Sequence, residues 1–341
     1  MSLPRTLLRT PRRVLPTTLL GLTLVLGVSA CGSDDDASSD PTGSPSATAS
    51  GASGTTGASD AASWPVTVDH EYGTSTVNEK PERILVMHGG GIDPVISLGL
   101  DPVAMLEIPG QEGNMPWLDD IVDWPADPDL VTDNIANLEA AAHYDPDLII
   151  VADRYADEAR WKELEAIAPT LAYDWPADGP AWPQILDGVA KATGTGDKAA
   201  EITADYEARV AEVKEQFPGI DTLTYNSAIF TEGQLSYTHN SVLEDLGMEQ
   251  TGRQQAAGAR GTVSLERLDE LDGDVLIIYD ASGDRKQLEA NPQFKNLTSV
   301  KNGTLIWQDM ALGFAVTTAS GPLSFDWAIE HITPQLTAAV E

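Results

Sequence analysis

Residues Asp197 to Phe217, DKAAEITADYEARVAEVKEQF, run without a glycine or proline and stop at Pro218-Gly219. Ala200, Ile202, Tyr206, Val210 and Val213 roughly follow a helical stripe along this stretch. At 1.5 Å per residue such a helix spans roughly 30 Å, the width of a small domain. What lies on either side of it decides the fold. Before it, apolar strands (Ile84-Leu85-Val86, Val103-Ala104-Met105-Leu106, Leu148-Ile149-Ile150-Val151, Thr170 to Tyr173) alternate with helical segments. After it the rhythm resumes, with strands expected at Leu223 to Phe230, Gln234 to Tyr237, Asp274 to Tyr279 and Thr304 to Trp307. Helices are expected at Ser264 to Leu271 and Leu323 to Val340. Strands interleaved with helices imply mostly parallel sheets covered on both faces. The expectation is an α/β protein of two lobes, each a mostly parallel sheet flanked by helices, joined by one long backbone helix.

Outward from this body the chain changes character twice. Residues 32–63 are almost entirely small or polar and hold no large apolar side chain before Trp64. They cannot bury enough surface to offset their ordering entropy, so they read as a flexible linker reaching roughly 30 Å on average. Ahead of them, residues 1–30 carry Arg5, Arg9, Arg12 and Arg13 and no acid, followed by an apolar run from Leu19 to Val28. That run is too short for a membrane span and suits a signal-peptide core. It ends at Val28-Ser29-Ala30-Cys31, which resembles the bacterial lipobox, and Cys31 is the single cysteine of the chain. The expected organisation is a lipoprotein signal peptide at 1–30, a lipidated Cys31 with linker to 63, an N-terminal lobe at 64–195, a connecting helix at 196–218 and a C-terminal lobe at 219–341. The expected location is outside the cytoplasm, held to the cell membrane by the lipid on Cys31. Arg12-Arg13 leaves twin-arginine export open, although Pro11 precedes the pair.

The chain has 53 acidic and 20 basic residues, a formal net charge of −33. Such a balance argues against nucleic acid, whose phosphates demand a basic face. Neither His-Glu-x-x-His nor Gly-x-Ser-x-Gly occurs, and the histidines His70, His88, His143, His239 and His331 are scattered. An exported hydrolase or a free-metal binder is therefore the weaker class of reading, and no cofactor or direct protein–metal ligand is expected.

Several short motifs, in order, resemble one family. They are Lys80-Pro81-Glu82-Arg83-Ile84-Leu85-Val86, Ser97-Leu98-Gly99-Leu100-Asp101-Pro102-Val103, Asn137-Leu138-Glu139, Asp145-Pro146-Asp147-Leu148-Ile149-Ile150 and Ala168-Pro169-Thr170. The second half adds Leu246-Gly247, Val263-Ser264-Leu265-Glu266 and Asp274-Val275-Leu276-Ile277-Ile278. The chain resembles the helical-backbone substrate-binding proteins of ABC importers, which carry ferric siderophores, haem or cobalamin. The resemblance implies a ferric siderophore as ligand, with haem or cobalamin as same-fold alternatives, and an ABC importer permease as partner. It also implies transporter docking through one glutamate per lobe, here Glu139 and Glu266. Each of these could equally be a first-turn helix acid favoured by the macrodipole.

A ligand between lobes meets the loops that follow strand ends. The candidates are His88 with Gly89 to Gly91, Trp117, Arg154, Tyr155 and Trp175 in the first lobe. In the second they are Thr231, Glu232, Arg253, Arg260, Tyr279, Trp307 and Met310. Arginine forks suit anionic oxygens around a chelated metal, and aromatic faces suit a large organic ligand. Plainer roles stand beside these: Arg154 can pair with Asp153 or Asp157, a tryptophan can be core, and the glycines can serve close backbone approach. Cys31→Ala is expected to move the protein from the membrane fraction to the soluble fraction. A variant that stays membrane-bound after salt washing excludes the lipid anchor.

Overall fold

The computed structural model describes residues 63–106, 115–119, 121–122, 126–132, 135–152, 157–173, 182–258, 261–317 and 320–341. The first sheet-bearing half contains β1 (Val66–His70), β2 (Gly73–Val77), β3 (Ile84–Val86), α1 (Ile92–Ser97), β4 (Ala104–Leu106), β5 (Ala126–Asp127), β6 (Val131–Thr132) and β7 (Ile135–Ala136). It continues with α2 (Leu138–His143), β8 (Leu148–Ala152), α3 (Glu158–Glu165), β9 (Thr170–Tyr173) and α4 (Trp182–Thr193). The long helix α5 (Gly196–Gln216) follows. The second half holds β10 (Thr224–Thr231), β11 (Gln234–Tyr237), α6 (Ser241–Asp245), β12 (Glu249–Gln250), α7 (Gly252–Ala257), β13 (Thr262–Ser264), β14 (Val275–Asp280) and α8 (Arg285–Ala290). It closes with α9 (Thr298–Asn302), β15 (Leu305–Gln308), α10 (Met310–Val316) and α11 (Pro322–Val340).

The first sheet runs β5-β4-β3-β8-β9, every pair parallel. The second runs β13-β11-β10-β14-β15, parallel across β10, β14 and β15, with the antiparallel β11 leading to β13 and β12 paired to the start of β10. The acidic residues ahead of two strands explain part of the motif pattern. Asp147 accepts from the backbone N–H of Glu82 and Arg83, both at 2.8 Å, and so fastens the start of β3 to the start of β8. Asp274 does the same in the second lobe, accepting from the Thr224 N–H and hydroxyl at 2.8 Å and tying β10 to β14.

Alternation along the strands divides the apolar side chains into three cores. Leu85, Ile149, Val151 and Ala172 form one on the outer face of the first sheet. Ala228, Phe230, Leu276 and Ile278 form another on the outer face of the second. Between the sheets lies a single continuous core. It joins Val86, Ile150 and Tyr173 of one inner face to Tyr225, Ile277 and Ile306 of the other, through Leu186, Ile202, Val213, Phe325 and Ile332 of the intervening helices. Tyr206 of α5 stands where the halves meet, edge-on to Trp182 of α4 at 4.8 Å and to Phe325 of α11 at 5.2 Å between ring centroids.

Two departures from the sequence-based expectations bear on how the lobes are built. The hairpin β1–β2 is an addition, and its Ser75 and Val68 are buried under the first lobe. Residues 264–271 are not a helix: β13 ends at Ser264, and only Leu268–Leu271 turn, as a 3-10 segment. Pairing to β11 satisfies the backbone of 262–264, so the strand wins over a weak helical pattern. With one core shared by both halves, ligand binding is expected to leave the radius of gyration nearly unchanged in X-ray scattering. A large contraction contradicts the shared core.

Candidate functional site

In open parallel sheets, ligands meet the carboxyl ends of the strands. In the second lobe, strand register identifies the side chains at that end of the inner face. Ile229 sits beside Tyr279, and Tyr279 beside Gln308, on neighbouring strands. Ile229 is 37 % exposed, unusual for a large apolar residue in the middle of a sheet. Among the described residues the Tyr279 hydroxyl is given to the Met310 sulfur, 3.5 Å away, a weak acceptor, and burial raises its pKa. Gln308 is buried, and its amide oxygen has no partner among the described residues. Ile229, Tyr279, Gln308 and Met310 therefore make an apolar wall with two under-used polar groups, suited to an organic ligand that carries its own hydrogen-bonding atoms.

The first lobe presents His88 at the same end of its inner face. Its Nδ1 accepts from the Gly90 N–H at 3.5 Å, capping the short 3-10 turn that leads into α1. The glycines have a packing reason: a Cβ on Gly91 would lie 3.0 Å from Ile150 and 3.1 Å from Val86. Close approach of this turn to the sheet accounts for Gly91 without a bound anion.

Other sequence candidates fall elsewhere. Trp117 is 8 % exposed and stacks, tilted, on Trp327 of α11 at 5.4 Å, so it is part of the central core. Trp307 does not join the Ile229–Tyr279–Gln308 wall. Alternation turns it to the outer face of the second sheet, against Phe294 at 6.0 Å and under the Arg285 guanidinium at 4.6 Å. Arg253 also stands apart from the wall. It lies on α7, alongside the first half of β10, exposed and paired with Glu270 at 3.4 Å, which Arg267 shares at 3.2 Å. Arg154, Tyr155, Trp175, Arg260 and Cys31 lie outside the described residues. Ile229 and Gln308 went unrecognised in the sequence. Their signal was the inner-face alternation, which needs the register to become readable.

Glu139 and Glu266 are both exposed. Glu139 opens α2, just after Asn137, whose side chain accepts from the Glu139 and Ala140 N–H groups. The Asn137 N–H is given to the Leu130 carbonyl, three residues past the end of β5. Glu266 follows Ser264, which is level with Gln234 and, through it, with Thr231 at the end of β10. Each carboxylate thus emerges near the strand-end edge of its own sheet. Glu266 stands in a turn rather than a helix, so no helix dipole accounts for it.

One constellation looks like hydrolytic chemistry. His70 Nε2 is 3.1 Å from the Ser75 hydroxyl, which donates to Glu165 at 2.7 Å. Nδ1 of His70 accepts from the Tyr72 N–H, which leaves Nε2 as the protonated nitrogen, a donor unable to take the serine proton. Ser75 is also fully buried. The cluster fastens the hairpin to β9.

The chain belongs to the periplasmic binding protein family, whose model matches residues 110–309. It is similar to the probable siderophore-binding lipoprotein YfiY of Bacillus subtilis, 27 % identical over 288 residues that span 78 % of this chain and 86 % of that protein. It is also similar to the iron(3+)-hydroxamate-binding protein FhuD of the same organism, 28 % identical over 286 residues, 78 % of this chain and 85 % of that one. Among solved structures, PiaA of Streptococcus pneumoniae in complex with ferrichrome shares the fold, with a TM-score of 0.66 at 21 % identity over 80 % of this chain and 98 % of that one.

If the second-lobe wall faces ligand, Tyr279→Ala should weaken binding about 5- to 150-fold, roughly 1–3 kcal/mol. Arg253→Ala should leave affinity within about twofold, and Trp307→Ala should lower thermal stability more than affinity. Titrations of the three variants check this. Unchanged affinity in Tyr279→Ala moves the site away from the wall.

Proposed function

We propose that this protein is an extracytoplasmic, lipid-anchored receptor that captures a ferric siderophore and delivers it to an ABC-type importer. The observation that carries the reading is the Ile229–Tyr279–Gln308–Met310 wall at the strand ends of a two-lobed binding-protein fold. Similarity to siderophore- and hydroxamate-binding relatives supports it. A chelated iron needs no protein ligand; it needs shape, apolar contact and a few hydrogen bonds to the organic shell. Among the described residues no group of three or more His, Cys, Asp or Glu is placed to hold a bare metal ion. His88, the histidine at the inner-face strand end, accepts a backbone N–H on Nδ1. The role is capture and hand-over rather than catalysis. Membrane attachment is assigned to the lipid on Cys31 at the end of Val28-Ser29-Ala30-Cys31.

Tryptophan-quenching titration with ferric hydroxamates, ferric catecholates, haem and cobalamin tests the ligand. Saturable quenching by a ferric chelate, and not by its iron-free form, is expected. Saturation by haem or cobalamin alone overturns the siderophore reading. Docking is assigned to Glu139 and Glu266, through charge-assisted bonds to arginines of the permease. The double variant Glu139→Ala with Glu266→Ala should keep ligand affinity and thermal midpoint, because exposed single charges contribute ~0–1 kcal/mol to folding. Its uptake and its stimulation of importer ATPase should fall steeply, because a desolvated partner charge left unpaired costs ~2–5 kcal/mol. Normal uptake removes the docking role.

A further inference from the structure

Helix α11 begins without a side-chain cap of its own. Its N-cap is Gly321, while α2, α3, α6, α7 and α10 start on Asn137, Asp157, Asn240, Thr251 and Asp309, whose side chains cap them. The missing cap comes from the other lobe. Asp93, in the first turn of α1, accepts from the Leu323 N–H at 3.1 Å and the Ser324 N–H at 3.1 Å, and from the Ser97 hydroxyl at 3.0 Å. A Cβ on Gly321 would fall 2.4–2.8 Å from the Asp93 carboxylate, so only glycine leaves room for it. Both helices start just beyond strand ends: α1 after β3 and its 3-10 turn, α11 after β15 and α10. The contact therefore closes the floor between the two inner faces, beside His88 on one side and α10 on the other.

We infer that Asp93 is a proton-sensitive latch between the lobes, closed most firmly when its carboxyl is neutral. The carboxylate is 1 % exposed and has no cation among its bonded partners. Burial pushes its pKa from the ordinary 3.8 up to about 7, while the bonds from Leu323, Ser324 and Ser97 pull the other way. The titratable neighbour is Tyr206 of α5, whose hydroxyl is given to Asp245 of α6. Asp245 is itself pushed up to about 6, chiefly by burial. From α4 the Trp182 ring packs on Tyr206, and the turn before α1 offers buried glycine backbone. Among the described residues, those named around Asp93 are acids and aromatics and none is a cation, and an ionised Asp93 is costly to keep dry.

Neutral Asp93 keeps the latch: its carbonyl oxygen accepts from the helix, and its O–H is given to Ser97, whose oxygen turns from donor to acceptor. The sign of the pH effect follows. An opened floor hydrates Asp93 and returns it to an ordinary carboxyl, which loses its proton near pH 4. Between about pH 4 and 7 the closed form alone holds the proton, so closure is favoured toward acid. The advantage shrinks as pH rises and is spent near pH 7, where both forms are ionised.

The test needs no ligand, so its failure is independent of the siderophore reading. Amide hydrogen exchange at Leu323 and Ser324 is followed in the purified full chain from pH 5 to 8, each rate divided by its intrinsic value. The opening equilibrium should rise about tenfold per pH unit up to roughly pH 7 and then level off. Asp93→Asn keeps one acceptor for the helix and an N–H for Ser97, and should give a flat profile. Ser97→Ala keeps the carboxylate but removes one bond to its ionised form, and should move the levelling point to higher pH. Gly321→Ala, which breaks the latch from the other lobe, should open these amides at every pH. A wild-type profile without pH dependence, or the same dependence in Asp93→Asn, overturns the latch.

Discussion

Everything in this molecule depends on the burial of two sheet faces in one core. Each sheet has an outer face closed over by its own helices and an inner face that it cannot close alone. Val86 and Ile150 on one side, and Ile277 and Ile306 on the other, leave water only because α4, α5 and α11 fill the space between them. At roughly 25 cal/mol per Å² of apolar surface, interior contacts on this scale outweigh any single polar contact between the lobes. The lobes are consequently not two bodies on a string. Tyr206, wedged between Trp182 and Phe325, puts an aromatic ring from the long helix in contact with both halves at once.

That constraint also decides which side chains stand at the strand-end rim of the inner faces. A strand offers the core and the space beyond it the same face, so the last inward residue of each strand sits at the rim of the core, where the helices start. Ile229, Tyr279 and Gln308 are such residues, and Trp307, one position earlier than Gln308, is turned the other way. A change of one residue separates a candidate ligand contact from outer-core packing.

The architecture was legible because its determinants are local and repeated. Leu148–Ala152 is buried at every position and reads as an unbroken apolar run; α5 shows its stripe at Ile202, Tyr206, Val210 and Val213, although Ala199 is buried where the sequence pattern points to Ala200. Asp147 and Asp274 were visible as motif acids, although their work, tying neighbouring strand starts together, depends on partners 64 and 50 residues away. The site was less legible. Arg253 follows a short strand, but β12 pairs with the beginning of β10 and not its end, so Arg253 and Tyr279 stand toward different ends of the sheet although both follow or end strands. The hairpin at 66–77 escaped because its alternation is carried by Thr, Ser and Asp, and its burial by contacts with α3 and β9 far along the chain.

The three buried or half-buried aspartates show how one side chain serves different ends. Asp147 and Asp274 accept backbone N–H groups at strand starts near the surface, where hydration is close by. Asp93 makes bonds of the same kind, yet it makes them in the dry middle of the molecule and between lobes. A neutral amide could hold the first turn of α11 without the desolvation cost of a carboxylate. A carboxylate at that place is locally unfavourable, and such residues persist where charge or proton exchange matters to what the protein does. The shared core keeps the lobes together in either protonation state. Asp93 acts only on the floor of the cleft, where a modest change in free energy alters how tightly the two inner faces are held without unfolding either one.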